Sequence, residues 1–119
     1  MSARPVLHVS AREWETTLLR GGWYAGLPEA LRQTLMEHGT ARRFPRGAWI
    51  YLQGDPPRGL WAVLEGELAF SKIGGAGSEV IYHVGGPGMW FGVVGAVTGI
   101  ALGITVTAVR GAFMLRVPL

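Results

Sequence analysis

The chain contains no cysteine. It can therefore hold neither a disulfide, nor a thiolate zinc site, nor a cysteine-ligated iron–sulfur cluster, which removes several sensor chemistries at once. Histidine is almost as scarce. His8 lies in the N-terminal lead-in, His38 at the end of a predicted helix and His83 alone on a predicted strand. Metal-dependent jelly-roll enzymes such as the cupins need several histidines, usually with a glutamate, converging from adjacent strands. A lone strand histidine reads instead as a surface or partly buried structural residue, and no metal is expected.

Concentrated positive charge is also missing. The net charge of +3 comes from scattered arginines, with Arg42, Arg43 and Arg46 as the only cluster, which is a poor footprint for a nucleic-acid groove. The first twenty residues carry Arg4, Arg12, Glu13 and Glu15 and no sustained apolar block. That is unlike a secretory signal, so a cytoplasmic protein is expected. Paired catalytic groups are absent too. Asp55 and Glu65 fall beside predicted turns, Glu67 on the polar side of a strand, and Ser71 and Ser78 belong to no pattern with histidine. Solvated carboxylates account for these residues, and no enzyme is expected.

Glycine and β-branched residues are what the chain does have. Gly54, Gly66, Gly77, Gly88, Gly99 and Gly111 follow one another at steps of 12, 11, 11, 11 and 12 residues. Glycine supplies the positive φ of tight turns, so this beat predicts short antiparallel strands that reverse at each one. The intervening segments share no sequence, so the beat is a turn signal and not a repeat. With 119 residues the chain fits one domain, able to bury roughly two-thirds of its unfolded surface.

Two helices precede the strands, over Ala11–Arg20 and Pro28–His38, flanking a loop at Gly21-Gly22. In the second, Pro28 suits a first helical position, Glu29 the positive end of the dipole, and Leu27, Leu31 and Leu35 share one face. After Gly47 the apolar period becomes two, as in Ile104-Thr105-Val106-Thr107-Ala108 and Phe113-Met114-Leu115-Arg116-Val117, each with one apolar face. Strands are placed near 48–52, 60–65, 67–73, 79–84, 89–97, 104–109 and 112–117. Trp49, Trp61 and Trp90 read as core packing and turn cover, Trp90 being the one placed to touch an effector. Asp55-Pro56-Pro57-Arg58-Gly59 reads as a rigid turn with its charges in solvent.

Residues 89–109 carry no charged side chain and are long enough to cross a bilayer as a helix, with Gly95, Gly99 and Gly103 at small-xxx-small spacing. Against a membrane anchor, about half the run is β-branched and its last third alternates with period two.

Several motifs together resemble the effector domain of the Crp/Fnr family of bacterial transcription regulators, a cyclic-nucleotide-binding β-roll. Leu27-Pro28-Glu29-Ala30-Leu31-Arg32 is similar to its leading helix, Gly47 with Trp49-Ile50-Tyr51 to its first strand, and Gln53-Gly54-Asp55 to its first turn. Leu60–Leu68 resembles the strand, glycine turn and strand that follow, and Gly86-Pro87-Gly88-Met89-Trp90-Phe91-Gly92 the approach to the ligand cassette. The resemblance runs from about Gly22 to Pro118. It implies a mainly β fold, a double-stranded jelly roll with short N-terminal helices, in which residues 1–21 are a lead-in and 22–119 the roll.

In that family the cassette opens with Phe-Gly-Glu and continues about ten residues later with an arginine. Backbone N–H groups and the guanidinium hold a cyclic phosphate, and the glutamate accepts a ribose hydroxyl. Here the glutamate position is Val93 and the arginine position Leu102. A buried guanidinium–phosphate contact contributes on the order of 2 to 3 kcal/mol, so its loss weakens binding roughly thirty- to a hundredfold. A cyclic nucleotide is thus disfavoured as the ligand. A less polar small-molecule effector, or a roll filled by its own side chains, fits better, and the pocket residues implied are Phe91, Gly92, Val93, Val94, Leu102, Gly103 and Ile104. The family's dimerisation helix and helix-turn-helix lie beyond the last strand, where this chain stops, so DNA contact would belong to a C-terminal portion outside it. Self-association is expected through apolar surface that another copy could cover.

Overall fold

The computed structural model describes residues 11–56, 59–74, 77–92 and 103–118. Among the described residues three helices come first, α1 (Ala11–Leu18), α2 (Gly22–Ala25) and α3 (Glu29–His38). Eight strands follow among the described residues: β1 (Thr40–Phe44), β2 (Trp49–Tyr51), β3 (Leu60–Glu65), β4 (Leu68–Ile73), β5 (Glu79–Gly85), β6 (Trp90–Phe91), β7 (Thr105–Ala108) and β8 (Ala112–Val117). They form two antiparallel four-stranded sheets, ordered β1-β8-β3-β6 and β2-β7-β4-β5. Successive strands mostly alternate between the sheets, which is the winding of a double-stranded jelly roll.

The predicted mainly β jelly roll with leading helices is the fold observed. Of the glycines on the beat, Gly54, Gly66, Gly77 and Gly88 have positive φ. Gly111 does not, and Gly99 lies outside the described residues.

Two apolar layers hold the molecule together. Phe44, Ile50, Tyr51, Trp61, Val63, Leu68, Phe70, Phe91, Val106 and Met114 fill the space between the sheets. Leu18, Tyr24, Leu35, Ala62, Leu64, Phe113, Leu115 and Val117 fill the space between the first sheet and the helices. Strands β3 and β8 therefore bury both faces. This corrects the expectation of a single apolar face for 112–117: alternate residues point into the roll or under the helices, so Ala112 to Leu115 are all buried.

Several other expectations need correction. Strand β1 was not foreseen, because Thr-Ala-Arg-Arg-Phe looks polar. Its ladder comes from β8, and its arginines lie over aromatic rings, Arg42 over Phe44 at 4.9 Å and Arg43 over Phe113 at 5.0 Å. Gly22 begins the helical turn α2 and is not loop. Pro28 caps α3 from outside it, with φ −57° and ψ 146°. On α3 only Leu35 is buried and Met36 partly so, whereas Leu31 faces solvent; Leu27, ahead of the helix, is partly buried. Trp49 is 68% exposed and packs in no core, whereas Trp61 is buried as expected. Glu67 precedes β4 and pairs with Arg110 at 3.3 Å. Residues 89–109 form no continuous helix, since 90–91 and 105–108 are strand. Among the described residues no helix is long and apolar enough to cross a membrane.

Candidate functional site

The approach to residues 93–102 is built from a tight turn on a core strand. Pro87-Gly88 turns the chain, the Met89 N–H donates to the Gly86 carbonyl at 3.1 Å, and Gly88 and Met89 exchange backbone hydrogen bonds with Val63 of β3, both at 2.9 Å. Strand β6 then adds to β3, with Phe91 opposite Trp61 and Trp90 opposite Ala62. Because successive side chains alternate, the two aromatic rings go to opposite layers.

Phe91 points into the roll. It lies parallel to Trp61 with centroids 6.2 Å apart and meets Phe70 edge-on at 5.3 Å. Trp90 points to the helices, where it stacks on Tyr24 at 5.4 Å and touches Trp23 at 5.1 Å. Gly92 follows with φ +91°, and a Cβ there would stand 2.7 Å from the Gly59 carbonyl oxygen. A side chain at this position would be both strained and obstructed, so the backbone leaves β6 in a conformation open to glycine alone.

On the far side, Ile104 packs against the inter-sheet core and Gly103 is exposed. Thr105, the first residue of β7, is 3% exposed, and its Oγ1 accepts the Gln53 N–H at 3.0 Å. The structure thus brings Phe91 and Ile104 to one core layer and places Gly92 and Gly103 at the two ends of the segment 93–102. Val93, Val94 and Leu102 lie outside the described residues. His83, on the edge strand β5, is exposed and sits 6.0 Å from the Phe70 ring. No group of three or more acidic or histidine side chains converges among the described residues.

Sequence reasoning missed the helical contribution to this region. Tyr24 is fully buried and donates its hydroxyl hydrogen to Glu15 Oε2 at 2.9 Å. Burial first, and the neighbouring Glu15 carboxylate second, hold its phenol above the ordinary range. Arg32 lies 3.7 Å from the same carboxylate and donates to the Leu27 carbonyl at 2.7 Å. The three helices are thereby joined to each other and, through the Tyr24–Trp90 stack, to strand β6. The aromatic pair Trp23-Tyr24 bounded by Gly21-Gly22 and Gly26 was the available signal.

A family model described as "Cyclic nucleotide-binding domain" matches residues 41–119. The chain belongs to that family. Among solved structures it is similar to a candidate cyclic nucleotide binding protein from Ruegeria pomeroyi, with TM-score 0.86 and 20% identity over 92% of this chain and 49% of that one. It is similar to the regulatory subunit of a cAMP-independent protein kinase A from Trypanosoma brucei, a mutant bound to cAMP, with TM-score 0.78 and 21% identity over 98% and 44%. It is also similar to the catabolite activator protein of Thermus thermophilus, with TM-score 0.71 and 23% identity over 80% and 45%. The chain spans about half the length of these structures. A comparison with curated proteins gives no significant match.

Proposed function

We propose that this cyclic nucleotide-binding domain is the effector-sensing part of a Crp/Fnr-like transcription regulator whose trigger is not ordinary cyclic AMP binding. The reading is carried by the sequence: by the resemblance to the Crp/Fnr cassette, Val93 and Leu102 fall at the positions of its glutamate and arginine. A cyclic phosphate has no guanidinium to meet at that position, and a ribose diol has no carboxylate. The effector is a hydrophobic or weakly polar small molecule, bounded by the segment from Phe91 to Ile104.

Two comparisons support this. The fold occurs in a catabolite activator protein and also in the regulatory subunit of a protein kinase A described as cAMP-independent, whose cAMP-bound structure is that of a triple mutant. Signal reception would proceed by population shift: an effector that prefers one arrangement of the cassette biases whatever is attached to the roll. The Trp90–Tyr24 stack links that arrangement to the helices. In such a cytoplasmic regulator DNA contact is the work of a separate helix-turn-helix domain, and self-association of the roll would use apolar surface that a second copy covers.

Thermal unfolding of the purified chain with increasing cyclic AMP or cyclic GMP, followed by tryptophan fluorescence, tests the reading, because a ligand that binds only the folded state raises the melting temperature. No shift in a cooperatively melting protein is expected. A concentration-dependent rise would show instead that backbone donors suffice and that the domain is a working cyclic-nucleotide sensor.

A further inference from the structure

A cavity of about 290 Å³ opens between the two sheets, lined by Arg42, Trp61 and Arg116 of the first sheet and by Trp49, Tyr51 and Asp55 on the side of β2. Phe91, Gly92, Gly103 and Ile104 do not line it. Strand register explains the cluster. Arg116 lies opposite Trp61 on β3, and Arg42 lies opposite Met114, two residues along β8. Both arginines therefore share the inward face of Met114, at the end of the sheet where the apolar filling stops.

The chemistry of the lining is specific. Each guanidinium rests over an aromatic ring, Arg42 over Phe44 at 4.9 Å and Arg116 over Trp61 at 6.0 Å. No carboxylate lies within ion-pair range of Arg42 among the described residues. Trp61 is 5% exposed, and its Nε1 has no hydrogen-bond partner among them. Trp49, 68% exposed, offers a ring face at the mouth. The β2 wall is fixed before any ligand arrives. Tyr51 donates its hydroxyl hydrogen to the Asp55 carbonyl. Gln53 is held through its N–H on Thr105 Oγ1 at 3.0 Å and its Oε1 from the Ile73 N–H at 3.1 Å.

We infer that this cavity is a second binding site, separate from the cassette, for a small aromatic monocarboxylate. The planar fork of Arg42 matches a carboxylate, and the Trp49 face matches a flat ring. The Arg42 guanidinium, with no carboxylate within ion-pair range among the described residues, supplies one positive charge, which suits a monoanion. The volume is at the small end for ligand pockets, enough for on the order of ten to fifteen non-hydrogen atoms. The site does not depend on how the cassette is read.

The test is a ¹H–¹⁵N correlation titration of the labelled chain with salicylate, with neutral salicylamide as the control and the indole peaks assigned through Trp→Phe variants. Saturable shifts of the Trp49 and Trp61 indole N–H peaks are expected with salicylate and not with salicylamide. Arg42→Gln, on an exposed strand position, should weaken binding about tenfold or more. Absence of saturable shifts at millimolar salicylate overturns the site without touching the cassette reading. Equal response to salicylamide overturns the charge requirement. Shifts confined to Trp90 and Gly92 would move the acid to the cassette and overturn the second site.

Discussion

Tyr24 lies flat against Trp90, with ring centroids 5.4 Å apart and planes 10° from parallel. This stack joins the helical layer to strand β6, and the Tyr24 hydroxyl anchors it by donating to Glu15 at 2.9 Å. The joint has a pH signature. A phenol held above its ordinary value contributes stability that is fully present below about pH 10 and is lost as pH rises through the folded-state value, at most about 1.4 kcal/mol per pH unit. Tyr24→Phe should cost about 1 kcal/mol at neutral pH through the lost hydrogen bond. Urea unfolding measured from pH 7 to 11 should show the gap between wild type and variant constant to about pH 9 and closing above pH 10. Parallel curves across that range would rule out the buried phenol as the titrating group.

Two glycines allow the same layers to touch. The Gly21 Cα faces the Gly88 carbonyl so closely that a Cβ would overlap it. Gly88 itself has φ +92°, and a Cβ there would lie 3.1 Å from the Thr17 carbonyl oxygen. Gly21→Ala and Gly88→Ala should each destabilise by about 1 to 3 kcal/mol. A Cβ at Gly22 meets nothing within 4 Å, so Gly22→Ala at the start of a helix should be neutral or mildly stabilising. Calorimetric melting of the three variants separates the effects. Equal losses at Gly21 and Gly22 would mean the backbone apposition is not what glycine serves.

Phe91 and Ile104 can be separated from ligand contact by their packing. Phe91 is 8% exposed and meets both Trp61 and Phe70, so Phe91→Ala should cost about 3 to 5 kcal/mol. Ile104, partly buried against the same cluster, should lose only about 0.5 to 1.5 kcal/mol as Ile104→Val. Denaturant midpoints at constant m-value check both. A small loss at Phe91 would mean that its ring lines open space instead of the core.

The glycine beat and period-two segments made the roll legible, because turn and strand preferences are local. Strands 60–65 and 112–117 agree with the observed bounds residue for residue. What escaped was non-local. Thr40–Phe44 becomes a strand only because β8 offers it a ladder and the arginine stems lie on Phe44 and Phe113. Trp49 carries no local mark that distinguishes an exposed indole from a buried one, and its exposure follows from the bulged register between β2 and β7. At the candidate site, the sequence named Phe91 and Gly92 through motif spacing. It could not show Tyr24 behind Trp90, since they are brought together from separate layers. The Arg42–Arg116 cavity was equally hidden, because the two residues are distant in sequence and meet only through strand register.

The cassette reading makes its sharpest prediction by restoration. If Val93 and Leu102 occupy the glutamate and arginine positions, Val93→Glu with Leu102→Arg supplies the missing acceptor for a ribose hydroxyl and the missing guanidinium for a cyclic phosphate. Each restored charge-assisted contact contributes on the order of 2 kcal/mol, so the pair should strengthen cyclic AMP binding by roughly three orders of magnitude over wild type. Isothermal titration of the double variant should detect this, with either single variant giving a smaller gain. The order matters physically: the arginine alone should bind more tightly than the glutamate alone, since an unpaired carboxylate repels the phosphate. A double variant that melts cooperatively near the wild-type temperature and still ignores cyclic AMP would place the wrong residues opposite the ligand. The register from Phe91 to Thr105 would then need to shift.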